Sequence, residues 1–154
     1  MKTTIILLAV LLIVSHASAQ KLKEADVPAP VKSAFTKKYP GAKLEKWEKE
    51  GADFEAEFDL NKVESSSVFD TNGNFKEFEQ EIKIAELPAT VRDYCAKTYA
   101  GYKLKEAAKI TDSTGNVRYE AEMSKGKEEM ELLFDEKGNF LKKSETEFDE
   151  DGKD

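Results

Sequence analysis

The chain carries two copies of one unit, and any fold it adopts has to accommodate that first. Pro28, Ala29, Val31, Lys37, Tyr39, Gly41, Lys43 and Leu44 recur 60 positions later as Pro88, Ala89, Val91, Lys97, Tyr99, Gly101, Lys103 and Leu104. Phe54-Glu55-Ala56-Glu57-Phe58 recurs 65 positions later as Tyr119-Glu120-Ala121-Glu122-Met123, and Phe69-Asp70 with Gly73-Asn74-Phe75 recurs at the same spacing as Phe134-Asp135 with Gly138-Asn139-Phe140. The change of spacing puts five extra residues between Lys109 and Tyr119. A lengthened loop at Thr111 to Asn116 is the expectation, because surface turns absorb insertions that strands and helices cannot.

Lys2, the apolar run Ile5 to Val14 and the small residues Ala17-Ser18-Ala19 have the three regions of a secretory signal peptide. The run is too short for a bilayer, which takes roughly 20 apolar residues. Cleavage is expected near Ala19, with no cysteine at the cut to accept a lipid. That leaves residues 20–154 as one domain of two repeats, about 22–84 and 85–148, with a short acidic C-terminal tail. The expected location is the periplasm or the exterior, and the expected state a monomer.

The chain has 24 Lys and Arg against 31 Asp and Glu, a net charge of −7, and loss of Lys2 with the leader makes it more acidic. Such a surface repels phosphate backbones, so neither nucleic acid nor an anionic membrane is expected as partner. The single histidine, His16, leaves with the leader, which excludes imidazole chemistry from the exported protein. A lone cysteine, Cys95, excludes an internal disulfide and any multi-cysteine zinc site. It aligns with Phe35 on the apolar side of a predicted helix, where a small buried core residue is expected.

Each unit opens with a helix. Val31, Ala34, Phe35 and Tyr39 fall on one helical face, and Val91, Tyr94, Cys95 and Tyr99 repeat the spacing. Pro28 and Pro88 suit a first turn, and Pro40-Gly41 and Ala100-Gly101 mark the stops. A helix of about three turns is marginal alone and needs a sheet to lie on. Four short strands follow in each unit, with the alternation clearest at Phe54 to Phe58 and Tyr119 to Met123, where apolar residues face one way and carboxylates the other. Tight turns are expected at Asn61-Lys62, Gly126-Lys127, Asp70 to Asn74 and Asp135 to Asn139. The fold class is α+β: a tandem duplication of a helix-plus-four-strand unit, about eight antiparallel strands with two helices on one face.

Candidate chemistry is sparse. Asp70, Asn72 and Asn74 have the look of a calcium loop, but Phe75 stands where such a loop requires glycine, and Lys137 replaces Asn72 in the second copy. A hairpin turn is the better account, and no metal site is expected. Glu55 with Glu57, and Glu120 with Glu122, share a strand face, yet they recur in both units, as a solvated sheet face does and a catalytic pair does not. No nucleophile elbow or phosphate-cradling glycine loop is present, so neither catalysis nor a cofactor is expected. Trp47, whose counterpart is Ala107, has two readings: core filler over Ala56 toward Ser65 and Ser67, or exposed anchor for a partner.

Two copies of L/V-P-A-x-V, Y-x-G-x-K-L, F/Y-E-A-E and F-D-x-x-G-N-F behind a signal peptide resemble the exported bacterial PepSY-like proteins, also described as beta-lactamase-inhibitor-like. The resemblance covers Val27 to about Glu147. It implies a curved sheet with helices on one side and a free face that grips a protein. That face would include Glu55, Glu57, Val68, Glu120, Glu122 and Leu133; Trp47 would join them as a partner contact on its exposed-anchor reading. The function this implies is non-catalytic binding of a protein or peptide through the open sheet face. The alternative is a binder of small cations or cationic peptides, with lysines such as Lys43 and Lys103 as internal neutralisers.

Overall fold

The computed structural model describes residues 20–146; the expected leader and the acidic tail lie outside the described residues. The elements run β1 (Gln20–Leu22), α1 (Ala29–Lys38), β2 (Lys43–Glu50), β3 (Asp53–Leu60), β4 (Val63–Phe69), β5 (Phe75–Glu81), α2 (Ala89–Thr98), β6 (Lys103–Asp112), β7 (Val117–Lys125), β8 (Glu128–Asp135) and β9 (Phe140–Thr146). The nine strands form one sheet in chain order, with every neighbouring pair antiparallel. This is the expected helix-plus-four-strand unit used twice.

The ninth strand is β1, and it shows that the duplication starts earlier than the motifs suggest. Gln20 opposes Lys49 and Gln80 opposes Lys109, both pairs at the 60-residue spacing. Gln20-Lys21-Leu22 is therefore the counterpart of Gln80-Glu81-Ile82. The end of β5 closes the first unit and opens the second. Three residues with one apolar side chain are too few for an alternation to be read.

The five extra residues are not confined to a loop. The hairpin that joins β2 to β3 turns at Gly51-Ala52, whereas β6 and β7 are joined by Ser113 to Asn116. Strand β6 has 10 residues against 8 in β2, and β7 has 9 against 8 in β3. The insertion thus lengthens a whole hairpin, which a sheet tolerates because each added strand residue finds a ladder partner. Thr111 and Asp112 use theirs against Phe78 and Glu77 of β5, extending the join that Ala108, Lys109 and Ile110 make with Glu81, Gln80 and Glu79.

Two cores lie side by side under the helices. Val31 and Phe35 of α1, with Tyr39 just beyond it, pack on Trp47, Phe54, Ala56, Phe58 and Phe69. Val91 and Cys95 of α2 pack on Ala107, Ala121, Met123, Met130, Leu132 and Phe134. Both helices begin just after a proline whose carbonyl takes the first amides: Pro28 O accepts from Val31 and Lys32 at 3.0 and 3.2 Å, and Pro88 O from Val91 and Arg92 at the same distances. The turn after β4 packs beneath α1: a Cβ on Gly73, whose φ is +81°, would stand 2.6 Å from Pro30 O. Gly138 sits likewise under α2.

Trp47 belongs to the first core, at 3% exposure, and is not a partner contact. The register explains why: Trp47 opposes Ala56, and Ala56 opposes Ser67, so the indole lies over two small residues on the helix side. Its ring meets Phe35 edge-on at 5.5 Å. The Nε1 donor is buried with no hydrogen-bond partner among the described residues. Such a group costs about 1–3 kcal/mol, which the area buried by a tryptophan outweighs.

Candidate functional site: the carboxylate face of the sheet

Strand alternation puts every second residue on the face opposite the helices. Glu55 and Glu57 of β3, Ser66 and Val68 of β4, Glu77, Glu79 and Glu81 of β5, and Glu120 and Glu122 of β7 all stand there by register. Leu133 of β8 opposes Glu120 on the same side. Of the seven residues expected to contact a partner, six lie on this face, and Trp47 lies behind it. Leu133 is 7% exposed and Val68 is half-buried, so their apolar surface is largely covered.

Two adjoining cavities open on this face. The first, about 210 Å³, is lined by Glu55, Glu57, Glu64, Glu79, Glu81, Glu106, Glu120 and Glu122, with Ser66 and Ala108 among the small residues between them; among the described residues no basic side chain lines it. The second, about 200 Å³, has Glu50, Glu77 and Glu131 with Arg118 and Lys142 over Val68, Ile110 and Leu133. Glu55, Ser66, Glu79 and Glu120 line both and form the wall between them.

The carboxyls of that wall are held in an unusual state. Burial, reinforced by Glu120, Glu55, Glu77 and Glu131, pushes Glu79 up to about 8. Burial also pushes Glu55 up to about 7, against a hydrogen bond from Ser66 and with help from Glu50, Glu57 and Glu48. Glu120 is pushed up to about 7 by burial and Glu131, while Lys142 pulls the other way. Glu64 and Glu122, at the rim, are raised too, by partial burial first and by neighbouring carboxylates next. Like charges brought together out of water disfavour ionisation, and each added carboxylate raises the cost for the next.

Cations answer part of this charge, among them Lys105, 4.0 Å from Glu129, and Lys142, which acts on Glu120. Lys46 Nζ lies 2.8 Å from Glu57 and 2.9 Å from Glu48, and those hydrogen bonds, Glu57 first, raise its own affinity for the proton. Arg118 pairs with Glu77 across the β5 to β7 interval. The expected neutralisers, Lys43 and Lys103, are exposed at the strand starts; Lys46, set by a bulge between Leu44 and Lys46, takes that part. Glu48, Glu55 and Glu57 bring carboxylate oxygens within 4.8 Å of one another, but the Lys46 ammonium already sits between two of them, so this group is an ion-pair cluster and not a ligand set for a metal.

The supposed calcium motif is a turn. Asp70 accepts from the amides of Asn72 and Asn74 at 2.8 and 2.9 Å and from Asn74 Nδ2 at 2.7 Å, which occupies both carboxylate oxygens. Asp135 does the same with Lys137 and Asn139, and Asp112 with Thr114 and Asn116. All three are D-x-x-G-N, and the third occurrence marks the insertion as a hairpin end.

Sequence reasoning missed Glu79, Glu81, Glu106 and Arg118. Strand β5 hides its alternation because a bulge between Val68 and Phe69 puts Phe75 and Phe78 three apart on the helix side. The spacing of Glu77, Glu79 and Glu81 was the available signal.

A two-unit antiparallel sheet, helices on one face and an acidic hollow on the other, defines a class of small sheet proteins whose free face is the distinctive surface. The family model described as "Putative beta-lactamase-inhibitor-like, PepSY-like" matches residues 14–65 and again 59–142, and the chain belongs to that family. No curated protein matches the chain in sequence. Among solved structures, the fold is similar to a "putative periplasmic" protein of Bacteroides eggerthii, with TM-score 0.67 and 19% identity over 77% of this chain and 88% of that one. A Bacteroides uniformis protein matches at TM-score 0.65 and 20% identity, again over 77% and 88%. A BLIP-like protein of Bacteroides fragilis matches at TM-score 0.58 and 22% identity, over 77% and 86%. At these identities the likeness is one of fold.

Proposed function

We propose that this is an exported, non-catalytic binding protein whose open sheet face takes a cationic segment of a protein or peptide. One observation carries the reading: eight carboxylates surround the first cavity, and among the described residues no basic side chain lines it. A guest lysine or arginine supplies the missing charge and relieves the repulsion in one step. The BLIP-like description of one structural relative and the leader-like residues 1–19 agree with a secreted inhibitor-like role. The expected periplasmic or exterior location and cleavage near Ala19 belong to the same proposal.

The second cavity is the weaker place for the cation. Arg118, paired with Glu77, and Lys142 line it among six glutamates, so it leaves less charge unanswered than the first. Fluorescence anisotropy with a labelled lysine-rich peptide, against acidic and neutral peptides of equal length, tests the proposal. Binding of the basic peptide alone is expected, weakening as salt rises through ~0.15 M and weakening further in Glu57→Gln/Glu122→Gln. Equal binding of all three peptides, or none, removes the proposal. Calcium and spermidine titrations distinguish a small-cation site, which the same carboxylates would also serve.

A further inference from the structure

We infer that Glu55, Glu79 and Glu120 form a proton-linked contact at the seam of the two units, one that gives up protons as a cationic side chain of the guest seats on it. The inference rests on the reading of the open face as a site for cationic polypeptide.

The geometry singles these residues out. Glu55 and Glu120 are counterparts in the duplication, on β3 and β7, and Glu79 stands between them on β5, the strand that belongs to both units. With Ser66 they are the residues common to both cavities. The counterpart of Glu79 in the second unit is Ser144, which hydrogen-bonds Glu131 at 3.0 Å, so the duplication supplies one central carboxyl and two flanking ones.

What surrounds them is almost wholly negative. Strand β2 presents Glu48 and Glu50 with Lys46, and β3 adds Asp53 and Glu57. Strand β4 contributes Glu64, and β5 itself Glu77 and Glu81. From β6 come Lys105, Glu106 and Asp112, from β7 Arg118 and Glu122, from β8 Glu129 and Glu131, and from β9 Lys142; Lys105 lies 4.0 Å from Glu129. Lys46 is engaged by Glu48 and Glu57, and Arg118 by Glu77. Lys142 acts on Glu120 from the far edge. Among the described residues, the leading charged influences on Glu79 and Glu55 are carboxylates.

Burial and like charge therefore keep protons on the seam near neutral pH. A guest ammonium inverts the local field, and an opposite charge within hydrogen-bond reach favours the ionised carboxyl. The protons leave to solvent and the ion pair forms. Linkage makes the effect reciprocal: if guest binding expels protons, raising the pH tightens the guest. The face holds its guest above neutrality and lets it go in acid.

Calorimetry of the full exported chain with a lysine-rich peptide, in phosphate and in Tris at the same pH near 7, reads the proton release as a buffer-dependent heat. Release of at least one proton is expected, with affinity rising ~10-fold per pH unit for each proton released. Glu79→Gln lowers the count and flattens the pH profile, and Glu55→Gln/Glu79→Gln/Glu120→Gln binds at all pH values as weakly as the unaltered protein does in acid. Glu136→Gln, on an exposed turn, leaves the count unchanged. Glutamine matches glutamate in shape and removes repulsion, so these variants fold. Peptide binding with buffer-independent heat and a flat pH profile overturns the proton linkage and leaves the open-face reading standing; no binding at any pH overturns both. Carbon-13 titration of the free protein adds a readout independent of any guest: midpoints for the three carboxyls near 4.5, the ordinary value, overturn the inference.

Discussion

Phe35 and Trp47 meet edge to face, with ring centroids 5.5 Å apart and planes at 72°. Their counterparts in the second unit are Cys95 and Ala107, both buried and both small. The balance is restored from the sheet, where Met130 and Leu132 replace Ser65 and Ser67. Each core is filled, but from opposite sides: from the helix and β2 in the first, from β8 in the second. Trp47→Ala therefore empties a space that no neighbour can fill, and is expected to cost roughly 3–5 kcal/mol in denaturant unfolding. Its fluorescence in the folded protein is expected to be blue-shifted and protected from iodide. A loss below about 1 kcal/mol would contradict the packing described.

Tyr39 and Ser67 pair their hydroxyls in that first core, 3.0 Å apart. Ser67 Oγ donates to Glu77 O at 2.8 Å, which leaves the phenol as donor to the serine. Burial raises Tyr39 above its ordinary range. Ser67→Ala strands the phenol in the core, and a loss on the order of 1–2 kcal/mol is expected, with Tyr39→Phe/Ser67→Ala less damaging than the single change.

Gly73 lies where side-chain space is absent. A Cβ there meets a backbone oxygen at 2.6 Å in a left-handed conformation, whereas Gly41, also left-handed, has nothing within 4 Å. Gly41→Ala is expected to cost about 1 kcal/mol from backbone strain alone. Gly73→Ala is expected to exceed it by ~1 kcal/mol or more, since α1 has to lift from the turn. Equal midpoints for the two variants would show that the contact under α1 is loose.

Cys95 is 1% exposed and burial pushes its thiol up to about 11. Thiol-specific reagents at neutral pH are expected to label it only as fast as the protein opens, and fully in denaturant. Labelling at the rate of a free cysteine in the folded protein would contradict this.

Stability against pH reports the seam without any guest. Above the ordinary 4.5 the unfolded chain has its carboxyls ionised, while the folded chain keeps protons on Glu55 and Glu120 up to about 7 and on Glu79 up to about 8. The folded state binds more protons across that window, so stability falls as pH rises from about 5 to about 8. Below about pH 4 the sign reverses, because hydrogen bonds within the turns lower Asp70, Asp112 and Asp135, and their contribution disappears on protonation. A melting temperature highest near pH 5 is expected, lower at pH 8 by about 4 °C or more, with Glu79→Gln recovering part of the loss. A maximum at pH 8 would refute it.

The helices, the strand faces and the duplication were legible because they rest on periodicity that local sequence carries: Val31 with Phe35, and Phe54 through Phe58. Glu55, Glu57, Glu120 and Glu122 were placed on the correct face for the same reason. Glu79 was not read, because the bulge at Phe69 breaks the alternation of β5, and its importance comes from where β5 sits between the units. The side taken by Trp47 depended on which neighbours were small, which is a matter of register: Ala56 and Ser67 become its floor only once three strands are paired.

The central claim is that a cationic segment docks on the carboxylate face. Amide chemical-shift mapping during titration with a lysine-rich peptide tests it most directly, since each strand and helix reports separately. The largest changes are expected at Glu55, Ser66, Glu79 and Glu120, with α1 and α2 unmoved. Changes centred on the helices or on β9, or none at saturating peptide, would contradict it.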